Sequence, residues 1–192
     1  MRKYLLLLLL LVSNWIMESC SKQQQIQSRC IVEMKIEYPE YTQGYLKNLD
    51  GKQLDSLIVI NGHLNLERAD TLLMPYVAFI SLKNPTDSID RIGIPFVVEG
   101  GKVNIEIGEY INISGTPLNQ LLQDYLNDLQ ALRSSLDEKT LSIKETNHIF
   151  SEFYRQQILN NKNNVLGQYI YKSYGVHLND TDRDLVKAQL DS

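Results

Sequence analysis

Two cysteines, three histidines and one short acidic run are the residues in this chain of 192 whose types invite covalent, metal or acid–base chemistry. A thiol works on disulfides when a second thiol stands close enough to resolve the mixed disulfide, as in Cys-x-x-Cys. Cys20 and Cys30 do not have that spacing and no cysteine follows them, so no redox pair is expected. Cys30, inside Cys30-Ile31-Val32-Glu33-Met34, reads as a buried strand thiol. His63, His148 and His177 fall in separate predicted elements, and no pair shows the i, i+4 spacing of a helical metal site, so they read as solvated or capping groups. Asp180-Thr181-Asp182-Arg183-Asp184 alternates carboxylates in the manner of a calcium loop, but Leu185 stands where the turn glycine belongs and no Glu closes it. The run reads as a helix start, capped by Thr181, with its acids near the positive end of the helix dipole. Glu99-Gly100-Gly101-Lys102 lacks the glycine spacing and the Ser or Thr of a phosphate loop and reads as a hairpin turn. No Gly-x-Ser-x-Gly elbow occurs. No catalytic residue, cofactor-binding residue, cofactor or metal is expected.

Cys20 has a different chemistry in prospect. Arg2 and Lys3 precede an apolar run from Leu5 to Val12, and a short polar stretch then ends in Met17-Glu18-Ser19-Cys20. That order is the pattern of a secretory signal peptide. A cysteine directly after a small residue resembles the site at which bacterial lipoprotein signals are cut and the new terminal cysteine is lipidated, which makes Cys20 the expected lipidation site. Met17 and Glu18 depart from that pattern, where Leu and a small residue are usual, and an ordinary cleaved signal or an uncleaved anchor are the alternatives. The apolar run extended to Met17 would make roughly 20 Å of helix against a hydrocarbon core of about 30 Å. It is short for a span, so retention would fall to acyl chains, each methylene contributing ~0.8 kcal/mol. The expected location is the bacterial cell envelope, lipid-anchored, at the outer membrane facing the periplasm. Ser21 to Ser28 is polar and without aromatics, as a flexible tether would be.

Removing the leader leaves ~170 residues, enough for one domain or for a small domain with an appended helical segment. The net charge is −4 and basic residues are not clustered, which argues against a nucleic-acid partner. Eleven tyrosines against four phenylalanines and one tryptophan is the compositional oddity. Tyr38, Tyr41 and Tyr45 cluster early and Tyr169, Tyr171 and Tyr174 late. An exposed cluster would suggest protein or glycan contact, and the plainer reading is tyrosines at the edge of the core.

The elements that must position these residues change character along the chain. Strands are predicted around Ile31 to Ile36, Gly44 to Leu49, Leu54 to Ile60, His63 to Glu67, Tyr76 to Leu82, Ile92 to Val98, Lys102 to Ile107 and Tyr110 to Ser114. Asp50-Gly51 and Asn61-Gly62 are turn dipeptides that accept positive φ, so consecutive hairpins and a meander are expected. After Gly115 the period becomes helical. Thr116 is a good cap, Pro117 suits the first helical position, and Leu118, Leu121, Leu122, Tyr125, Leu126, Leu129 and Leu132 recur at three and four residues. A second helix is predicted from Ser142 to Asn160, with Ile143, Ile149, Phe150, Phe153, Tyr154 and Ile158 on one side. Two shorter ones follow at Val165 to Tyr174 and Asp182 to Leu190. The expected class is α+β: an N-terminal antiparallel β-sandwich or partial barrel followed by a C-terminal helical segment. The divisions are 1–19 leader, 20–28 tether, 29–115 antiparallel β domain and 116–192 helical segment. Whether the helices dock on the sheet, on one another or on a partner is left open.

Four stretches resemble a known family, the domain of unknown function that precedes a thioredoxin-like domain in bacterial thiol-disulfide interchange lipoproteins. Asp55 to Leu66 is similar to its strand, turn and strand, and Pro95 to Ile105 to its glycine-turned hairpin. Ile113-Ser114-Gly115-Thr116-Pro117-Leu118-Asn119 is similar to the step into its helix, and Asn160 to Ile170 to its Asn-rich break. The resemblance implies a non-enzymatic accessory or binding module, held to the membrane through a lipid anchor at Cys20. It also implies an envelope protein partner such as a thioredoxin-like protein. No Cys follows Cys30, so no thiol chemistry carries over, and either a stand-alone module or a truncated thiol-disulfide oxidoreductase is expected. A solute- or glycan-binding lipoprotein with a concave, Tyr-lined pocket is the remaining alternative.

Overall fold

The computed structural model describes residues 29–69, 74–137 and 139–190. The leader 1–19, Cys20 and the tether through Ser28 lie outside the described residues.

Among the described residues eight strands form two four-stranded sheets, and the α+β class expected from the sequence is observed. β1 (Cys30–Ile36) buries Cys30, Val32, Met34 and Ile36 and turns the residues between them outward, the period-2 pattern of a strand with one face on a core. It lies between β4 (His63–Arg68) and β7 (Gly101–Ile107), and β8 (Ile111–Ser114) completes that sheet. The second sheet runs β3 (Gln53–Ile58), β2 (Gln43–Asn48), β5 (Tyr76–Asn84), β6 (Asp87–Val98). Leu46, Ile80, Leu82, Ile94 and Phe96 from this sheet share one buried cluster with Val32, Met34, Val103, Ile105 and Ile113 from the other.

The arrangement differs from an antiparallel meander in two ways. β1 and β7 are parallel, with Val32 beside Val103 and Met34 beside Ile105, so the first sheet is mixed. The chain also changes sheet between β1 and β2, β3 and β4, β4 and β5, and β6 and β7. Local turn chemistry fixes only the hairpins β2–β3, β5–β6 and β7–β8; the pairing of β1 with β7 joins residues some seventy apart in the chain and leaves no local signal. Gly100-Gly101 is accordingly a passage between sheets and not a hairpin turn. Gly101, at φ 127°, donates its N–H to Arg29 O at 2.8 Å as it enters the first sheet. Asn61-Gly62 does form a two-residue turn, with φ of 51° and 74° and paired bonds of 2.9 Å between Ile60 and His63. It carries the chain around the corner from β3 to β4. Gly62 is required there, because a Cβ would lie 2.6 Å from Ile36 O.

Helices α1 (Pro117–Asp137), α2 (Ile143–Asn160), α3 (Val165–Tyr174) and α4 (Asp180–Leu190) follow, with a 3-10 turn at Gly175–His177 before the last. Two of them dock on the strands and the other two on helices. α1 packs on β8 and β6, α3 on β5, and Leu122, Tyr125, Leu166 and Tyr169 join the common core. Val77 and Val97, one residue out of step with their inward-facing neighbours, are buried as well, as expected for a sheet covered on its outer face. Phe79 meets Tyr169 with ring centroids 6.0 Å apart. Lys172 on α3 pairs with Asp50 in the β2–β3 turn.

Two amide side chains fasten α1. Asn119, fully buried, accepts from Val97 N–H at 2.9 Å and donates to Val97 O at 2.8 Å. Gln123, one helical turn later, accepts from Ile113 N–H at 2.6 Å. β6 and β8 are edge strands of different sheets, so one helix face satisfies both open edges. The N-terminal N–H groups of α1, at Leu118 and Asn119, are accepted by Glu99 Oε1 at 2.8 and 3.1 Å, while Thr116 Oγ1 accepts from the Asn119 side chain. The capping oxygen thus comes from the β6 end and not from Thr116.

Candidate functional site

A concavity of about 760 Å³ lies between the start of α2 and the 3-10 turn. Its position follows from local chemistry. Ser142 and Glu145 form a reciprocal capping box, Ser142 Oγ accepting from Glu145 N–H and Glu145 receiving the Ser142 N–H at 2.9 Å, which starts α2 at Ile143. The sequence places Ile143 with the apolar stripe of α2; instead it stands in the first turn, before the stripe meets its partners, and is 81 % exposed. Across the groove the 3-10 turn holds Val176 at 78 % exposure. Phe150 and Leu178 join the lining, and Lys144, His148 and His177 are its basic members beside the amides of Asn147 and Asn179.

The wall that carries Val176 is held by a polar network. Asn179 donates its N–H to Ser151 Oγ at 2.9 Å, and the Ser151 hydroxyl donates to Asp182 Oδ2 at 2.6 Å. Asn179 Nδ2 donates to the same oxygen at 2.7 Å, and Arg155 stands 3.0 Å from Asp182 Oδ1. Asn179 Oδ1 accepts from Asp182 N–H at 2.9 Å, so Asn179 caps α4, which begins at Asp180. The expected cap, Thr181, lies two residues past it, inside the first turn. Two of the acids that look like a calcium loop are engaged in ion pairs, Asp182 with Arg155 and Asp180 with Arg183.

A second, smaller cleft of about 440 Å³ opens at the end of the sandwich, lined by Tyr38, Tyr41, Glu40, Asp90 and Glu109. Tyr41 donates its hydroxyl to Asp90 Oδ1 at 2.5 Å, and Asn84 donates to the other oxygen at 3.1 Å. The hydrogen bond to Asp90, followed by burial, pushes the Tyr41 hydroxyl up to about 12. The same bond, with that from Asn84, holds the Asp90 carboxyl below its ordinary value. Tyr38 donates to Gly108 O at 3.0 Å and meets Tyr41 edge to face with centroids 6.3 Å apart.

Of the residues singled out by type, Cys20 lies outside the described residues and Cys30 is fully buried in β1. His148 and His177 come together on the groove, which their separation in sequence does not suggest, while His63 sits on β4 in the other sheet. His148 is 3.7 Å from Glu152. Among the described residues no group of three His, Cys, Asp or Glu is placed to hold a metal ion. None of the described helices is long and apolar enough to cross a membrane. The early tyrosines divide, Tyr38 and Tyr41 lining the cleft while Tyr45 lies on β2. Of the late ones Tyr169 is core and Tyr171 and Tyr174 are partly buried against it; Tyr169 meets Tyr125 edge to face, Tyr174 stacks on Tyr154, and burial pushes the hydroxyls of Tyr125, Tyr154 and Tyr169 up. The groove itself was not legible beforehand, because its lining is drawn from the start of one helix and a turn more than two dozen residues later. Comparison of the chain with known families and with curated proteins returned no match.

Proposed function

We propose that this chain is a non-enzymatic binding module of the bacterial cell envelope, anchored through lipid on Cys20 at the outer membrane facing the periplasm, and that it recruits an envelope protein on the groove between α2 and the 3-10 turn. The observation that carries this reading is the pair of apolar side chains, Ile143 and Val176, left 81 % and 78 % exposed on the rims of one groove. Solvent-exposed aliphatic residues that face each other across a concavity with networked walls favour contact with another surface. The leader pattern ending at Cys20 supports the anchor, and the resemblance to the module preceding a thioredoxin-like domain favours a thioredoxin-like protein or its substrate as the partner. Any thiol chemistry then belongs to the partner.

The test places a photo-crosslinking residue at position 143 or 176 of the tagged chain with its native leader, and at Ile58, an exposed position on β3 outside the groove lining, as control. The expected result is a discrete adduct from 143 and 176 and none from 58, together with an acyl mass on Cys20. Equal labelling from all three positions, or an unmodified Cys20, overturns the corresponding half of the reading. A second reading, a solute-binding lipoprotein, rests on the Tyr38–Tyr41 cleft, whose rings and carboxylates suit a polar or cationic solute. A ligand that protects this cleft and is lost on Tyr38→Ala would favour it.

A further inference from the structure

The two concavities have opposite chemistry, although the chain as a whole carries a net charge of −4. The cleft at the sandwich end is lined by Glu40, Asp90 and Glu109. The helical groove has Lys144, His148 and His177 in its lining and no carboxylate. Of the acids nearest to it in sequence, Glu145 is engaged in the capping box, Asp180 with Arg183 and Asp182 with Arg155, while Glu152 stands 3.7 Å from His148 without entering the lining and leaves Lys144 and His177 to the groove. Lys144 has no ion-pair partner among the described residues. An apolar groove whose one fixed cation is left without a counter-charge is complementary to an apolar group that carries its own anion nearby.

We infer that the groove takes an acidic amphipathic segment of the partner polypeptide, its apolar side chains seated against Ile143, Phe150 and Val176 and an adjacent Asp or Glu carboxylate meeting Lys144 and the imidazole N–H groups of His148 and His177. The inference rests on the proposal that this groove is the recruiting surface. A volume of about 760 Å³ is within the range of sites that enclose one or two large side chains. Apolar contact supplies most of the affinity, and the exposed charge supplies the preference among partners. A basic segment would be repelled here and drawn to the other end of the molecule.

The experiment uses the full lipid-anchored chain in phosphatidylcholine nanodiscs and two fluorescent peptides with the same leucine and phenylalanine positions, one spaced by glutamates and the other by lysines. Fluorescence anisotropy is expected to show the acidic peptide binding about threefold to tenfold tighter at low salt, the ratio narrowing as salt rises. Lys144→Glu is expected to remove or invert the ratio. Ile143→Ser with Val176→Ser is expected to weaken both peptides about tenfold, since both changes are at exposed positions that leave the fold intact by circular dichroism. Equal binding of the two peptides, preference for the basic one, or binding indifferent to the Ser variants would overturn the inference. So would loss of peptide preference accompanied by groove-dependent binding to anionic vesicles. A photo-adduct from position 143 whose crosslinked segment proves neutral or basic overturns the inference and leaves the recruiting surface standing, whereas no adduct from 143 or 176 removes both.

Discussion

Asn119 does for β6 what a neighbouring strand would do, offering an acceptor and a donor to Val97 N–H and O at 2.9 and 2.8 Å. Replacing it by Leu leaves both backbone groups buried and unpaired, at ~1–3 kcal/mol each. The expected loss is about 3 kcal/mol by denaturant titration, with Asn119→Asp little better because it keeps the acceptor and forfeits the donor. Tyr41 and Asp90 make a different kind of residue-scale prediction. Asp90 is held low by the hydroxyl of Tyr41 and by Asn84, so its contribution is present above the ordinary carboxylate pKa and lost as pH falls through its folded value. Tyr41 is raised from 10.0 to about 12, so its contribution is present below pH 10 and lost as pH rises towards 12. Tyr41→Phe should therefore lower the melting temperature by a similar amount from about pH 5 to 9, and the gap should close on either side. A gap independent of pH would show that the pair does not act through these two protonation states. At this scale the sequence was informative about what is absent, a thiol pair or a histidine pair at helical spacing. It was silent about Asn119, and it marked Tyr41 only as one of a cluster of tyrosines, because an amide or a phenol has no pattern until its distant partner is known.

The helix α1 is the element on which the two sheets depend, since Asn119 and Gln123 close the outer edge of one sheet each. In native-state hydrogen exchange the amides of Val97 and Ile113 should be protected to the level of global unfolding, although both belong to edge strands. In the Asn119→Ala, Gln123→Ala double variant they should exchange locally while Val32 and Ile80, in the centres of their sheets, remain slow. Glu99→Ala, which uncaps the helix at Leu118 and Asn119, is expected to cost about 1 kcal/mol. A thermal melt of that variant indistinguishable from wild type would mean that water replaces the cap. Gly115 sits at this junction at φ 109°, where a Cβ would lie 2.2 Å from Lys102 O, so Ala there should be worse than the loss of the cap. The strands, α1 and the order β then α were readable from period and turn dipeptides, since these depend on neighbours a few residues away. The parallel register of β1 and β7, the passage at Gly100-Gly101 and the cap at Asn179 were not. The first two depend on residues brought together from different parts of the chain, whereas Asn179 caps α4 through Asp182 three residues on, a local contact that the reading of Thr181 as the cap missed.

At the scale of the whole molecule, the groove and the proposed anchor must work together, and covalent geometry limits how. Between Cys20 and Arg29, where β1 is about to begin, a chain extends at most about 30 Å. A lipid on Cys20 would therefore hold the sandwich within one domain diameter of the membrane surface, with any partner recruited into the same thin layer. A single acyl chain gives only marginal binding and two or more hold firmly, at ~0.8 kcal/mol per buried methylene. Two separable outcomes are expected from Cys20→Ser. In fractionation the variant should leave the membrane for the soluble periplasmic fraction, while wild type is released only by detergent. Its melting curve and its peptide preference at Lys144 should be unchanged, because the strands and helices from β1 to α4 share one core. Photo-crosslinking from position 143 in cells should nevertheless fall, since the partner loses the effective concentration that a shared surface provides. If the variant stays with the membrane, the anchor is not at Cys20. If it is released and still crosslinks as strongly, the groove binds its partner without help from the surface, and the lipid serves to place the complex and not to form it.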